Sequence, residues 1–388
     1  MNHPNQMPQN RSGGAPAPKK KAKSGLAGRI LRRFFLVLFT TVALVLVALV
    51  LVLNMIFNGP SISAQEVLTM TLIEASATKW VPALFIGEER VAEIQSTVSA
   101  PLQDDVSNAS QIVINRDTAT GSASDEWANY PDGIRFDQYQ GKTYTAHIMV
   151  VRDPSRVGLG LAYYDGFSTN KLGKRANQFM EESGAAAVVN GGAFNDDGSG
   201  KASNGSLPQG LTYADGQCYW ESGEPPHNLK KSGGFGFAGF NEDDVLVVAP
   251  GVPTKAQAEE WNIRDGVCFG PVLIMNGEPN MEAYNIKSGW NPRTAIGQRA
   301  DGAVVFVCID GRQPGSMGGE YSDIIDIMTE YGVVNACNLD GGSSSIMMYR
   351  DTEGRYGEPG AITPINNYSL LQSEPRRMPN FWMVRPAE

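Results

Sequence analysis

The chain is poor in the residues on which many catalytic signatures depend. Only three of its 388 residues are histidine, His3, His147 and His227, and none stands in a His-x-x-x-His or His-x-Glu spacing. A histidine-rich zinc site therefore has no motif to form on. The four cysteines, Cys218, Cys268, Cys308 and Cys337, lie far apart without a Cys-x-x-Cys pair, which argues against a disulfide scaffold. Cys308 and Cys337 fall inside expected strands and read as small buried side chains, while spacing leaves a Cys218–Cys268 pair open. Neither a Gly-x-Ser-x-Gly elbow nor a Gly-x4-Gly-Lys-Ser/Thr loop occurs, so hydrolase-elbow and P-loop chemistry have no local support. Positive charge is scarce beyond the N-terminus. Residues 1–33 hold eight of the 32 Lys and Arg and no acid, leaving 24 positives against all 41 acids, a net of −17, on the rest. A chain that acidic does not coat a phosphate backbone, so nucleic acid is not an expected partner.

What is present begins with a hydrophobic run. Residues 34–57 are 24 residues without a charge, preceded by Lys19, Lys20, Lys21, Lys23, Arg29, Arg32 and Arg33. At ~1.5 Å per residue such a helix crosses a hydrocarbon core of ~30 Å, and the positive flank favours a cytoplasmic N-terminus with the acidic bulk exported. A cleaved signal peptide is the competing reading, although its apolar core usually runs to only about 7–15 residues. The expected organisation is a basic cytoplasmic tail over 1–33, a transmembrane helix over 34–57, a juxtamembrane helical stalk over 58–100, a linker over 101–130 and one large domain over 131–388.

Within that domain the patterning predicts a mixed α/β (α+β) fold on a mixed central sheet. Strands are expected over 147–151, 157–162, 185–189 and 267–275, a helix over 170–183, and a hairpin joining 294–298 to 303–309 around Ala300-Asp301-Gly302. Residues 304–309 and 333–337 read as buried strands on either side of an amphipathic helix at 321–331, a pattern that predicts a parallel strand-helix-strand unit. Each strand leads into an acid and a glycine, Asp310-Gly311 and Asp340-Gly341-Gly342. Strands running the same way deliver both carboxylates to one sheet edge.

Two carboxylates at one edge can divide the work of glycoside cleavage, one protonating a leaving oxygen and the other staying ionised. Asp310 and Asp340 are thus the candidate catalytic pair, with ordinary Asp-Gly turns as the plainer alternative. Gly341, Gly342, Ser343 and Ser344 offer backbone N–H groups and hydroxyls for phosphate or sugar oxygens. Arg293, held behind Pro292, is a candidate bidentate phosphate clamp, and Arg312 is a second. No cofactor motif is present. Asp310, Asp340, Asn190 and Asn195 are hard oxygen donors of the kind calcium accepts, but no Asp-x-Asp-x-Asp loop supports a calcium site.

Five segments in order carry a resemblance: Val189-Asn190-Gly191-Gly192-Ala193-Phe194, Gly270-Pro271-Val272-Leu273-Ile274, Pro292-Arg293-Thr294-Ala295-Ile296-Gly297, Val307-Cys308-Ile309-Asp310-Gly311-Arg312 and Asn338-Leu339-Asp340-Gly341-Gly342-Ser343-Ser344. The sequence resembles the phosphodiester glycosidase domain family, that of the uncovering enzyme N-acetylglucosamine-1-phosphodiester alpha-N-acetylglucosaminidase and its bacterial homologues. The resemblance implies hydrolysis between an anomeric carbon and a phosphate diester. It places Asn190, Arg293, Asp310, Asn338 and Asp340 on the family's cleft-lining motifs, with Gly191, Asn195 and Thr294 beside them. Ser343 departs from a third glycine, and the family's crossover-helix glutamate falls on Asp323. The expected substrate is a phosphorylated glycan or sugar-1-phosphate diester in envelope or exopolysaccharide material. Two rivals stand beside this reading. One is a non-catalytic glycan-binding module using Tyr213, Tyr219, Trp220 and Trp290 as sugar platforms. The other is a phosphodiesterase cutting P–O instead of C–O.

Overall fold

The computed structural model describes residues 26–75, 77–97, 106–114, 126–196, 204–222, 234–367 and 374–387. The chain forms two compact units, Met1–Met55 and Ile56–Glu388. In the first runs most of helix α1 (Leu26–Phe57), whose stretch Arg29–Phe57 holds an 18-residue window of mean hydropathy 3.2 with no buried share. It is long and apolar enough to cross a membrane, a property that some signal sequences share.

The second unit opens with α2 (Ile62–Ile73) and α3 (Val81–Thr97). These helices are no free stalk, contrary to the expectation for 58–100. Met70 and Ile94 are buried in one cluster with Ile309, Tyr321 and Ile324, and the Thr71 hydroxyl accepts the Trp290 N–H at 3.0 Å. Burial of apolar side chains against the domain is favourable enough to fold the segment back onto it. The described part of the expected linker is also held: Ser107 exchanges two 2.9 Å hydrogen bonds with Val248, and the Val113 N–H donates to Ala300 at 2.9 Å.

Three sheets build the rest. The first has seven strands in the order β1 (Ile134–Gln140), β2 (Thr145–Val151), β13 (Val304–Ile309), β12 (Arg293–Arg299), β14 (Val333–Leu339), β10 (Val272–Met275) and β11 (Glu278–Pro279). The second orders β16 (Ala361–Pro364), β15 (Met347–Asp351), β4 (Ala187–Asn190), β17 (Asn380–Val384) and β3 (Val157–Leu161). The third orders β6 (Gln217–Glu221), β5 (Leu211–Ala214), β9 (Ile263–Phe269), β7 (Gly236–Asn241) and β8 (Leu246–Pro250). The helices are α4 (Ala176–Ser183), α5 (Lys255–Glu260), α6 (Met281–Asn285) and α7 (Tyr321–Glu330).

The apolar run of β13 is continuous because both of its faces are buried. Val305, Val307 and Ile309 pack with Tyr321, Ile324 and Met328 of α7, while Val304, Phe306 and Cys308 pack with Val189, Met347 and Trp382 of the second sheet.

The expected parallel pair is corrected. The crossover β13–α7–β14 exists, but β12 lies between its strands and pairs antiparallel with each, Thr294 standing opposite both Cys308 and Leu339. The hairpin places β12 beside β13 first, so the returning chain finds the free edge of β12 instead. Directions are nevertheless preserved: β13 and β14 still run the same way and end at one edge, their backbones about 10 Å apart across one intervening strand.

The expected strand over 267–275 also divides. Gly270 has φ 98° and packs so tightly that an added Cβ would lie 2.3 Å from the Gly236 nitrogen. Pro271 cannot donate to a ladder, and the chain passes there from the third sheet to the first. The string Gly234-Phe235-Gly236-Phe237-Ala238-Gly239 spells Gly-x-Gly-x-x-Gly but leads into β7 in an antiparallel sheet, without the strand-to-helix turn that dinucleotide binding requires.

Candidate active site

Asp310 and Asp340 follow β13 and β14 directly, so topology alone brings them to one edge. Asn190, the last residue of β4, joins the second sheet to this edge. Its Oδ1 accepts the Thr294 hydroxyl at 2.9 Å and the Ile346 N–H at 3.1 Å, and its Nδ2 donates to the Asp340 carbonyl at 2.6 Å. Gly191 is required by packing: a Cβ there would meet Asn380 Oδ1 at 2.1 Å, while its carbonyl accepts the Asp340 N–H at 3.3 Å.

The two acids have unlike surroundings. Asp310 is 2% exposed, and three donors surround it. Asn367 gives its backbone N–H to Oδ1 at 2.9 Å and its Nδ2 to Oδ2 at 3.0 Å, and His147 Nε2 lies 3.0 Å from Oδ2. Asp340 has one hydrogen bond of that kind, from the Gly341 N–H at 2.9 Å. Burial lifts its carboxyl to a pKa of about 6. The Arg376 guanidinium opposes that rise, as does the Ser344 hydroxyl, which lies beside the carboxylate without the alignment of a full hydrogen bond, whereas Asp196 adds to it.

Arg376 is the cation nearest the chemistry. It pairs with Asp196 at 2.5 Å, its Nη1 donates to the Ser343 hydroxyl at 3.3 Å, and its guanidinium lies 4.7 Å from the Phe194 ring centre. Arg312, with φ 57°, stands on the other side of the same turn. Its Nη2 donates to Asn291 Oδ1 at 3.1 Å, and a Cβ on Gly342 would approach its Nη1 to 3.3 Å.

Arg293 occupies a different place from the one its motif suggested. It stands opposite Ile309, on the sheet face covered by α7, whereas Cys308 and Thr294 point to the other face. Its fork is taken up by backbone carbonyls, Gly319 at 3.2 Å, Ser288 at 2.7 Å and Gly289 at 3.2 Å, with Glu74 of the α2 C-terminus at 3.5 Å and the Tyr321 ring at 4.6 Å. Burial works against its charge, but Glu74 and Tyr321 more than offset it and hold its pKa above the ordinary arginine value. With 4% exposure it positions the start of β12 and is no open phosphate clamp.

The turn after Asp340 is likewise more self-contained than its composition suggested. The N–H of Gly341 goes to Asp340, that of Gly342 to Pro292 at 2.8 Å, and those of Ser344 and Ser345 back to Gly341 and Gly342. Ser343 is the partly exposed serine of the turn, while the Ser344 and Ser345 hydroxyls are buried without a hydrogen-bond partner. Asn338 turns to the strand break, donating to the Gly270 carbonyl at 2.8 Å, and the Asn195 N–H donates to Leu207 at 2.9 Å. Among the described residues no group of three His, Cys, Asp or Glu is arranged for a metal. The oxygens named for calcium largely face donors: those of Asp310 face Asn367 and His147, and that of Asn190 faces Thr294 and Ile346.

His147, Asn367, Asp196 and Arg376 belong to the site although their sequence contexts did not single them out. His147 carried one usable signal, since alternation along β2 places it on the face of its register partner Cys308. Arg376, thirty-six positions beyond Asp340, had none. A surface cleft of about 580 Å³ lined by Glu126, Arg135, Arg299, Asp301 and Tyr331 shares no residue with this edge. Its arginines are paired with Glu126, Asp137 and Asp301.

A carboxyl with a raised pKa, a second, buried carboxyl and two guanidinium groups thus lie at one edge. Residues 183–385 match the family model of phosphodiester glycosidases, and the chain belongs to that family. The catalytic domain of zebrafish N-acetylglucosamine-1-phosphodiester alpha-N-acetylglucosaminidase, auto-inhibited by pro-peptide, shares the fold, with a TM-score of 0.50 and 18% identity over 66% of this chain and 85% of that one. A hypothetical protein from Synechocystis aligns with a TM-score of 0.41 and 16% identity over 65% of this chain and 61% of its own. The SPbeta prophage-derived uncharacterized protein YomE of Bacillus subtilis (strain 168) is 35% identical over 96 residues, 24% of this chain and 14% of that protein. The chain thus spans about one seventh of the length of that curated relative.

Proposed function

We propose that the chain is a membrane-tethered extracytoplasmic hydrolase that cleaves sugar-1-phosphate diesters of envelope or exopolysaccharide material at the anomeric carbon. The observation that carries this is the environment of Asp340, a carboxyl lifted to about 6 at a turn flanked by Arg312 and Arg376. The departing phosphate monoester has its own second pKa near 6, so a proton on Asp340 is closely matched to the oxygen that receives it. Arg312 and Arg376, with the Ser343 and Ser344 hydroxyls, hold the phosphate charge. Asp310, held in place by Asn367 and His147, faces the positive charge that develops on the sugar. Asn190 and Thr294 fix the two sheets so that this spacing is constant. The tether is α1, with the basic residues before it on the cytoplasmic side.

The test is turnover of sugar-1-phosphate diesters bearing a reporting leaving group by the full chain in detergent, run in oxygen-18 water. Label in the released sugar supports the proposal. Label in the phosphate supports P–O cleavage and overturns it. Binding without turnover points to the glycan-binding module.

A further inference from the structure

Only Asn58, Gly59, Pro60 and Ser61 separate the apolar helix from α2. Phe57, the last residue of α1, is 0% exposed; its ring stacks on Phe85 with centres 5.1 Å apart, and its carbonyl accepts Gln65 Nε2 at 2.5 Å. The start of α3 is therefore fixed at the point where the apolar helix ends. Beside Phe85 stands Leu84, 71% exposed, and in the turn immediately before α3 stands Trp80, 59% exposed. The Trp80 indole N–H already donates to the Ala77 carbonyl at 3.0 Å, so the bare part of the ring has no polar atom that needs water. Lys79 is exposed next to it, and past the break at Gly87 (φ 76°) come the exposed Glu88 and Glu89.

An exposed tryptophan and leucine at the exit of an apolar helix, with a lysine on one side and acids beyond a kink, form the pattern of an interfacial anchor. We infer that Trp80 and Leu84 enter the headgroup region of the bilayer, with Lys79 at the lipid phosphates, giving the domain a second membrane contact beside its tether. This rests on the tethered reading of α1. It has a consequence for the catalytic edge, since Glu74, which meets Arg293 there, lies six residues from Trp80 and so within ~20 Å of the headgroups by chain reach.

Trp80 is the one exposed tryptophan of six, which makes emission a direct probe. The full chain is reconstituted into phosphatidylcholine–phosphatidylglycerol vesicles whose acyl chains are brominated near the headgroup, and quenching is compared with that of Trp80→Phe and Leu84→Asp, with circular dichroism to confirm the fold. The expected result is quenching in the wild type that falls about twofold or more in Trp80→Phe and also falls in Leu84→Asp. Equal quenching in all three overturns the inference. So does shielding of Trp80 from aqueous acrylamide that depends on protein density rather than on lipid, which would give the face to a second copy of the chain. An alkaline carbonate wash separates the two readings: release from the vesicles defeats the tether while quenching before the wash still decides the contact.

Discussion

Asp310 and Asp340 look alike in sequence, each an aspartate-glycine directly after a buried strand, yet they sit in opposite chemical situations. Asp310 is nearly sealed and has three hydrogen-bond contacts, two from Asn367 and one with His147. Asp340 is partly exposed with one hydrogen bond of that kind, and desolvation of its carboxyl raises its pKa to about 6. The difference comes from what other segments deliver, β2 and the Asn366-Asn367 turn to one acid, the Asp196 and Arg376 loops to the other. Two carboxyls in such different environments can take different roles in one reaction.

The sharpest way to break this contrast is Asp340→Asn, expected to lower kcat by about 10²–10⁴-fold in the diester assay while glycan binding persists. If turnover survives, Asp340 is a turn residue and the contrast has no catalytic meaning. Next in size, Arg293→Met should destabilise the chain by about 3–5 kcal/mol, because it strips the Ser288, Gly289 and Gly319 carbonyls and the part-buried Glu74 of their shared partner. Arg312→Met should instead raise KM with little change in denaturant midpoint. The reverse pattern would restore Arg293 as a ligand of the phosphate. His147→Ala should cost about 1–3 kcal/mol, since it removes a partner from a buried carboxylate, and urea unfolding will read it.

The smallest effects are shifts along the pH axis. The basic limb of kcat/KM should fall near pH 6 in the wild type, move up in Arg376→Gln, which loses a cation that favours the charged carboxylate, and move down in Asp196→Asn. The same proton should appear in stability. Because the folded pKa of Asp340 lies above its ordinary value, its contribution is full below about pH 4 and is lost as pH rises through about 6. Asp340→Asn should therefore be more stable than the wild type at pH 8 by about 1–2 kcal/mol and lose that advantage at pH 4, as thermal melts at the two pH values will show.

Much of this was legible in residue order. The β12–β13 hairpin follows from Asp301-Gly302 between two apolar runs, and α7 from the spacing of Ile324, Ile325, Ile327 and Met328. The shared edge of Asp310 and Asp340 followed from a strand-helix-strand pattern, and it survived the insertion of β12 because strand direction does not depend on which neighbour a strand pairs with. The fate of Arg293 was not legible. A one-residue step in register decides which face a side chain takes, and only pairing with Ile309 shows that it looks toward α7. The break at Gly270 and the folding back of α2 and α3 were missed for a related reason: each depends on a distant partner, Gly236 in one case and the Ser288–Trp290 turn in the other.

Residue order by itself determined the apolar N-terminal helix, the family, the alternation that buries both faces of the central strands, and the delivery of two acids to one edge, because these follow from periodicities and signals local to the chain. Only the tertiary structure decided that the Asp340 carboxyl has a raised pKa and which arginines stand near it. Those properties are set by the dielectric and the charges within a few ångströms, and the groups responsible, Arg376, Asp196, His147 and Asn367, come from parts of the chain that meet only on folding.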